Sequence, residues 1–220
     1  MSVTFPLRPL AAGAALFLLA ACSSPDPVAY GGLASSSYLK PSADTDAGRL
    51  PYAYSSHPDW RRYSKVLIEP VAVYQGADNQ LGDLSAEDRS NLAGYMQTQF
   101  SAALANRFRL AAGPGPDTLR IRLTLTGAST NSAVLSTFAR LDMAGGLYNS
   151  VQAVRGHEGM MMGSVSYAVE IYDAGSDRLL EAFIAKQYPG AYNIGATFGS
   201  LAAARTGVDK GADALAEHFQ

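Results

Sequence analysis

The chain contains one thiol, Cys22, which follows an apolar run from Leu10 to Ala21 and precedes Ser23-Ser24. A cysteine sulfur is a nucleophile, so a lone cysteine behind two small residues, Ala20 and Ala21, can accept a transferred group. A second grouping is Arg120, Arg122 and Glu170. Each alternates with apolar neighbours, so on paired strands all three project from one face, where a cross-strand ion pair adds about 0.2–1 kcal/mol. That face could also dock a partner. His57, His157 and His218 are scattered along the chain, whereas a zinc site needs three or four converging ligands. Asp173 and Asp177 flank Ala174-Gly175-Ser176. Two such acids could serve a hydrolase, but aspartates at a turn also hydrogen-bond their own backbone. No Gly-x-Ser-x-Gly window supplies a nucleophile elbow. Gly113-Pro114-Gly115-Pro116 has the glycines of a phosphate-binding loop, but its prolines remove amide donors and a strand follows. It reads as a rigid turn. The expectation is a protein that is not an enzyme, with no catalytic residue, no metal and no cofactor.

Composition narrows the function classes. The 220 residues hold 17 Lys and Arg against 19 Asp and Glu, a formal charge of −2. Without a basic run there is no footprint for nucleic acid, whose phosphates demand clustered cations. Hydrophobic residues make up 48% of the chain, which excludes wholesale disorder. A single cysteine excludes an internal disulfide framework.

The apolar run before Cys22 is about a dozen residues long, and a membrane-spanning helix needs about 20. It has the length of a signal-peptide core, preceded by a lone positive charge at Arg8. Leu19-Ala20-Ala21-Cys22 resembles a lipobox, the pattern read by bacterial lipoprotein signal peptidases and acyl transferases. The resemblance implies cleavage after Ala21, with Leu19, Ala20 and Ala21 as recognition residues, and lipidation of Cys22. One acyl chain anchors only marginally; the three chains normal for such proteins anchor permanently and consume the only thiol. Ser23, rather than Asp, after the cysteine implies the outer membrane by analogy with the sorting rule for lipoproteins, with the folded part facing the periplasm.

Behind the anchor, residues 23–60 are rich in Ser, Pro, Ala, Gly and Asp and show no sustained period, which reads as a flexible tether. Tyrosines 30, 38, 52 and 54 are unusual in a spacer, and Gly32-Leu33 and Tyr38-Leu39 could dock onto the domain. From residue 61 the pattern sharpens. Lys65 to Tyr74 is a β-branched, apolar strand in which Pro70 cannot donate to a ladder, so it is bulged there or borders an edge. Ser85 caps a helix from 86 to about 107, with Leu92, Met96, Phe100, Ala103, Leu104 and Phe108 at helical spacing.

Leu119 to Thr126 alternates strictly, and clean alternation predicts a sheet with one packed and one wet face. Val165 to Ile171 repeats the pattern, and Ala174 to Asp177 turns the chain into a hairpin whose second arm runs from Arg178 to Gln187. Phe198, Leu201, Val208, Ala212, Leu215 and Phe219 predict a last helix, interrupted on its apolar stripe by Arg205. Residues 133–162, which include Met160-Met161-Met162, read as a helical excursion packed on the domain or as an apolar surface. The expected architecture is α+β: a two-layer sandwich with one mainly antiparallel sheet of about four strands and two amphipathic helices on one face. The expected division is a signal peptide at 1–21, a lipid-anchored tether at 22–60 and one domain at 61–220.

Three stretches carry a resemblance: Tyr63-Ser-Lys-Val-Leu-Ile-Glu-Pro-Val71, Pro114-Gly-Pro-Asp-Thr-Leu-Arg120, and Gly163 to Asp173 with Leu179-Leu180 beyond. With the lipobox and the Gly32-Leu33 to Tyr38-Leu39 spacing, they resemble an uncharacterised proteobacterial outer-membrane lipoprotein family known only as a domain of unknown function. A hairpin glycine usual in that family is replaced here by Asp177-Arg178. The resemblance implies an envelope address and a lipid anchor, and brings no activity or active site. The partners expected are the lipid bilayer, through acylated Cys22, and another envelope component contacted through Arg120, Arg122 and Glu170. The function expected is a non-enzymatic accessory or binding domain. Two alternatives are a small-ligand or lipid carrier, with Met160 to Met162 lining an apolar cleft, and a hydrolase with dispersed catalytic residues.

Overall fold

A computed structural model describes residues 25–42, 49–129, 163–189 and 201–220. Cys22, Leu19, Ala20 and Ala21, His157, Phe198 and the 133–162 segment with Met160 to Met162 lie outside the described residues.

The longest helix forms where capping and periodicity coincide. Helix α1 spans Ala86–Ala105, and the Ser85 hydroxyl accepts the Asp88 N–H at 3.0 Å. Glu87 and Asp88 in its first turn complement the positive end of the helix dipole. Leu92, Met96, Phe100 and Leu104 are fully buried on its inner stripe. The second helix, α2, spans Ala202–His218. It approaches the sheet through Gly207 and Gly211, one turn apart. A Cβ on Gly207 would lie 2.8 Å from the Gln187 carbonyl oxygen, and one on Gly211 would collide with the Tyr167 hydroxyl. The two helices join where the Tyr95 hydroxyl donates to Asp209 at 2.7 Å and the Arg205 guanidinium lies 5.5 Å from the Tyr95 ring centre. Arg205 therefore does not thin the stripe; it caps the helix–helix seam.

Eight strands build one mixed sheet among the described residues: β1 (Lys40–Pro41), β2 (Tyr52–Ser55), β3 (Lys65–Ile68), β4 (Ala72–Val73), β5 (Arg109–Leu110), β6 (Thr118–Ala128), β7 (Val165–Asp173) and β8 (Leu179–Gln187). The order is β1-β2-β8-β7-β6-β3-β5, with β4 pairing β6. Pairs from β1 to β6 along this order are antiparallel, whereas β3 runs parallel to β6 and β5, and β4 parallel to β6. The expectation of a mainly antiparallel sheet of about four strands in a two-layer sandwich is thereby corrected. Strands β1, β4 and β5 have two residues each, too few to display a period of two. The parallel pairs follow from α1, which returns the chain to the starting end of β3, as crossover connections do. Pro70 separates β3 from β4: it offers no N–H, and Gln97 of α1 accepts the neighbouring Val71 N–H at 2.9 Å.

The larger core lies between the helices and Leu119, Ile121, Leu123 and Leu125 of β6, all fully buried, with Val169 and Ile171 of β7 beside them. The opposite face was expected to be wet. Residues 25–42 cover much of it instead, and Tyr30, Leu33 and Leu39 form a second core with Tyr74, Ala168, Ala182 and Ile184. The flexible-tether expectation for 22–60 is corrected over residues 25–42 and 49–60, because these dock as a layer and contribute two strands to the sheet. Polar anchors make that docking possible. The Tyr30 hydroxyl donates to Gln80 at 2.9 Å, the Gly32 N–H to the Tyr74 hydroxyl at 2.9 Å, and the Gly31 N–H to Asp78 at 3.0 Å. Buried Lys186 pairs with Asp26 at 3.2 Å. Among the described residues no helix is long and apolar enough to cross a membrane.

Candidate functional site

Register alone brings the sequence-selected residues together. Arg122 of β6 lies opposite Glu170 of β7, which lies opposite Ala182 of β8, which lies opposite Tyr54 of β2. Arg120 lies opposite Tyr172 in the next row of the same face. The organising group is one that sequence reasoning had not selected, Glu69, just past β3. Its two oxygens accept from Arg120 at 2.6 Å and from Arg122 at 2.8 Å. Both guanidiniums also lie over the Tyr172 ring, 4.3 and 5.7 Å from its centre.

The electrostatics follow from this stacking. Burial raises the Glu69 carboxyl's proton affinity, but the hydrogen bonds from Arg122 and Arg120 outweigh it and hold Glu69 below its ordinary value. The Glu69 hydrogen bond likewise raises Arg122. Burial, reinforced by the Glu170 charge, pushes the Tyr172 phenol up to about 12, so it stays protonated at neutral pH. At the open end Asp177 pairs with Arg120. Asp177 closes the hairpin turn with φ of 58°, a left-handed conformation that Asp tolerates better than most residues. Asp173 accepts the Gly175 and Ser176 N–H groups at 3.1 and 2.8 Å, the backbone-bonding role expected of a turn aspartate.

Glu170 does not sit on an open surface. It is 1% exposed and accepts the Ser35 N–H of the docked N-terminal segment at 2.7 Å, with Arg122 at 3.8 Å. It positions rather than presents. Beside it opens a cleft of about 480 Å³, walled by Arg120, Arg122, Arg178, Tyr38, Tyr54 and Tyr172. Tyr38 and Tyr54 meet at its mouth with ring centres 5.1 Å apart. These groups are fixed hydrogen-bond donors and aromatic faces, suited to holding an anionic or stackable group. Glu69 falls in phase with Leu67, the β3 partner of Arg120, but Val66-Leu67-Ile68 is apolar throughout and no alternation marked that phase in the sequence. Tyr38, Tyr54 and the docking of Ser35 gave no periodic signal.

A second cleft, of about 440 Å³, runs between α2 and strands β2 and β8, with Phe183, Leu215, Lys210, Glu181 and His218 in its walls. Burial lowers the Lys210 ammonium, and nearby Arg49 adds to the effect. His218 Nε2 stands 2.9 Å from Glu181. That hydrogen bond raises His218 above its ordinary 6.5, with burial opposing. The folded value exceeds the unfolded one, so the pair contributes stability that is fully present below 6.5 and is lost as pH rises through the folded value. In Glu181→Gln the stability difference across that window should shrink, and His218 should titrate lower by NMR. An unmoved His218 titration would show that the two groups are not coupled. His57 lies in a loop with φ of 52°. Among the described residues no three His, Cys, Asp or Glu side chains converge as metal ligands.

No curated protein matches the chain. Among solved structures, it is similar to the PelC dodecamer from Paraburkholderia phytofirmans, at 11% identity and a TM-score of 0.37, covering 72% of this chain and 93% of that one. A DUF4136 family protein from Bacteroides thetaiotaomicron is similar at 12% identity and 0.34, covering 76% and 95%. A hypothetical protein from Chlamydia trachomatis is similar at 8% and 0.31, covering 71% and 93%. A family model described as a protein of unknown function matches residues 29–215, most of the chain, and the chain therefore belongs to that family, DUF3313.

Proposed function

We propose that the chain is a lipid-anchored envelope lipoprotein whose domain binds another envelope component without catalysing a reaction. Acylated Cys22 holds it at the outer membrane, facing the periplasm, after removal of residues 1–21. The observation that carries the binding role is the pair of arginines fixed from behind by Glu69 and stacked on Tyr172, facing an open cleft. Pre-oriented guanidiniums lose little freedom when they engage a ligand. Arg120 and Arg122 are the contact residues, and Glu170, held by the Ser35 N–H, supports Arg122 from 3.8 Å.

Two measurements test this reading. Labelled palmitate should be incorporated into the chain and lost in Cys22→Ser. In-cell crosslinking followed by mass spectrometry should capture one dominant envelope component, with capture weakened in both Cys22→Ser and Arg122→Glu. An unlabelled chain, or capture indifferent to Arg122, overturns it.

The carrier alternative draws on a different observation, the 440 Å³ cleft beside α2 with its partly apolar walls. Such a volume falls within the range of small-molecule sites. Lipid extracted with the purified protein, and lost on substituting Phe183→Glu, would favour that reading.

A further inference from the structure

The carboxylates around the arginine cleft are not equivalent. The side chains of Glu170 and Glu69 are 2% and 27% exposed, and they brace the arginines from the protein side. The Asp177 side chain is 77% exposed, and it reaches Arg120 from the solvent side on a hairpin turn. A carboxylate so placed has little to hold it beyond the guanidinium it meets, and an ion pair with one partner open to solvent is weakened by water and salt. Another carboxylate can take its place at small cost.

The rest of the cleft supplies what such a ligand would meet. Arg178 also lines the cleft, and no ion pair is formed by it among the described residues. Tyr38, 48% exposed, tilts against Tyr54 at the mouth and offers an aromatic face for the C–H bonds of a saccharide ring.

We propose that the cleft binds the carboxylate of an acidic saccharide at Arg120, with Arg122 and Arg178 in the same wall, and that Asp177 occupies the anion position when the saccharide is absent. The inference rests on the binding role assigned above to Arg120 and Arg122. It adds the ligand's chemical class and a built-in competitor. No covalent step is involved: one carboxylate exchanges for another on the same guanidinium.

The probe is trigalacturonic acid, titrated calorimetrically into the full chain extracted from membranes in detergent, with its methyl ester and an acidic peptide as comparisons. The acid should bind at least tenfold more tightly than the ester or the peptide. Arg120→Gln should weaken it about tenfold or more, the effect of losing one charged hydrogen bond. Asp177→Asn, which suits the left-handed turn at least as well as Asp, should tighten it about twofold to fivefold. Equal binding of ester and acid, preference for the peptide, no binding of the acid, or an Asp177→Asn variant that does not bind more tightly would each overturn the proposal. Because Asp177→Asn lies on an exposed turn, it remains informative if Arg120→Gln fails to fold. Crosslinked capture that depends on Arg122, without saccharide binding, refutes this inference alone. Saccharide binding by a chain that takes up no palmitate refutes the envelope reading alone.

Discussion

Phe100→Ala should lower the free energy of unfolding by about 3–5 kcal/mol, the usual cost of emptying a large aromatic site. Phe100 is fully buried in the middle of α1, and its ring meets that of Tyr167 on β7 edge-on, at 5.4 Å and 77°. Tyr167 in turn lies beneath Gly211 of α2. Three elements therefore share one contact, and the helices cannot close over the void without shifting that tyrosine. Domains of this size have about 5–15 kcal/mol to lose, so the denaturant midpoint should fall steeply while the slope of the transition stays unchanged. Phe100→Leu, which keeps most of the volume, should lose less. A loss below about 1 kcal/mol would contradict the placement of α1 against β7.

The second large effect is local. Tyr30→Ala should release the N-terminal layer while leaving the helix-covered core folded. Tyr30 is 1% exposed, packs edge-on against Tyr74 at 5.3 Å, and donates to Gln80. Gln80 also donates to the Asp26 carbonyl at 2.8 Å, so Tyr30 helps to tie both ends of that contact. Removal of a buried aromatic costs about 3–5 kcal/mol where the surroundings cannot relax. Here the loss is capped by the free energy of docking the segment, because once undocked it has nothing further to lose. Hydrogen exchange reads the difference. The Gly31, Gly32 and Ser35 amides should lose protection, while amides shared between β6 and β7 keep theirs. Release would also strip Glu170 of the Ser35 N–H, leaving a buried carboxylate short of a partner beside the arginine cleft. Unchanged protection at Ser35 would mean that the segment is held without Tyr30.

What the sequence determined by itself is the set of elements that carry an apolar face along many residues. Helix α1, long strand β6 and the β7–β8 hairpin were legible because their apolar side chains recur with a period near 3.6 or 2, and a cap or a turn marks each boundary. Arg120, Arg122 and Glu170 were assigned to one face by the same alternation, and the register brings them together. Family membership also follows from sequence.

Tertiary structure decided what those residues do. Glu69 lies 51 residues from Arg120, and Ser35 lies 135 from Glu170. Contacts over such separations leave no local period, because they depend on where whole elements come to rest. The same holds for strands of two residues, which exist only because a longer neighbour offers its free edge. It holds too for the second core, where the Ser- and Pro-rich N-terminal stretch packs through single anchors such as Tyr30 and Leu33. Alternation indicated that Arg120, Arg122 and Glu170 would share a face. Only the docking of residues 25–42 decided that Glu170 is buried as a support while the arginines remain at an open cleft.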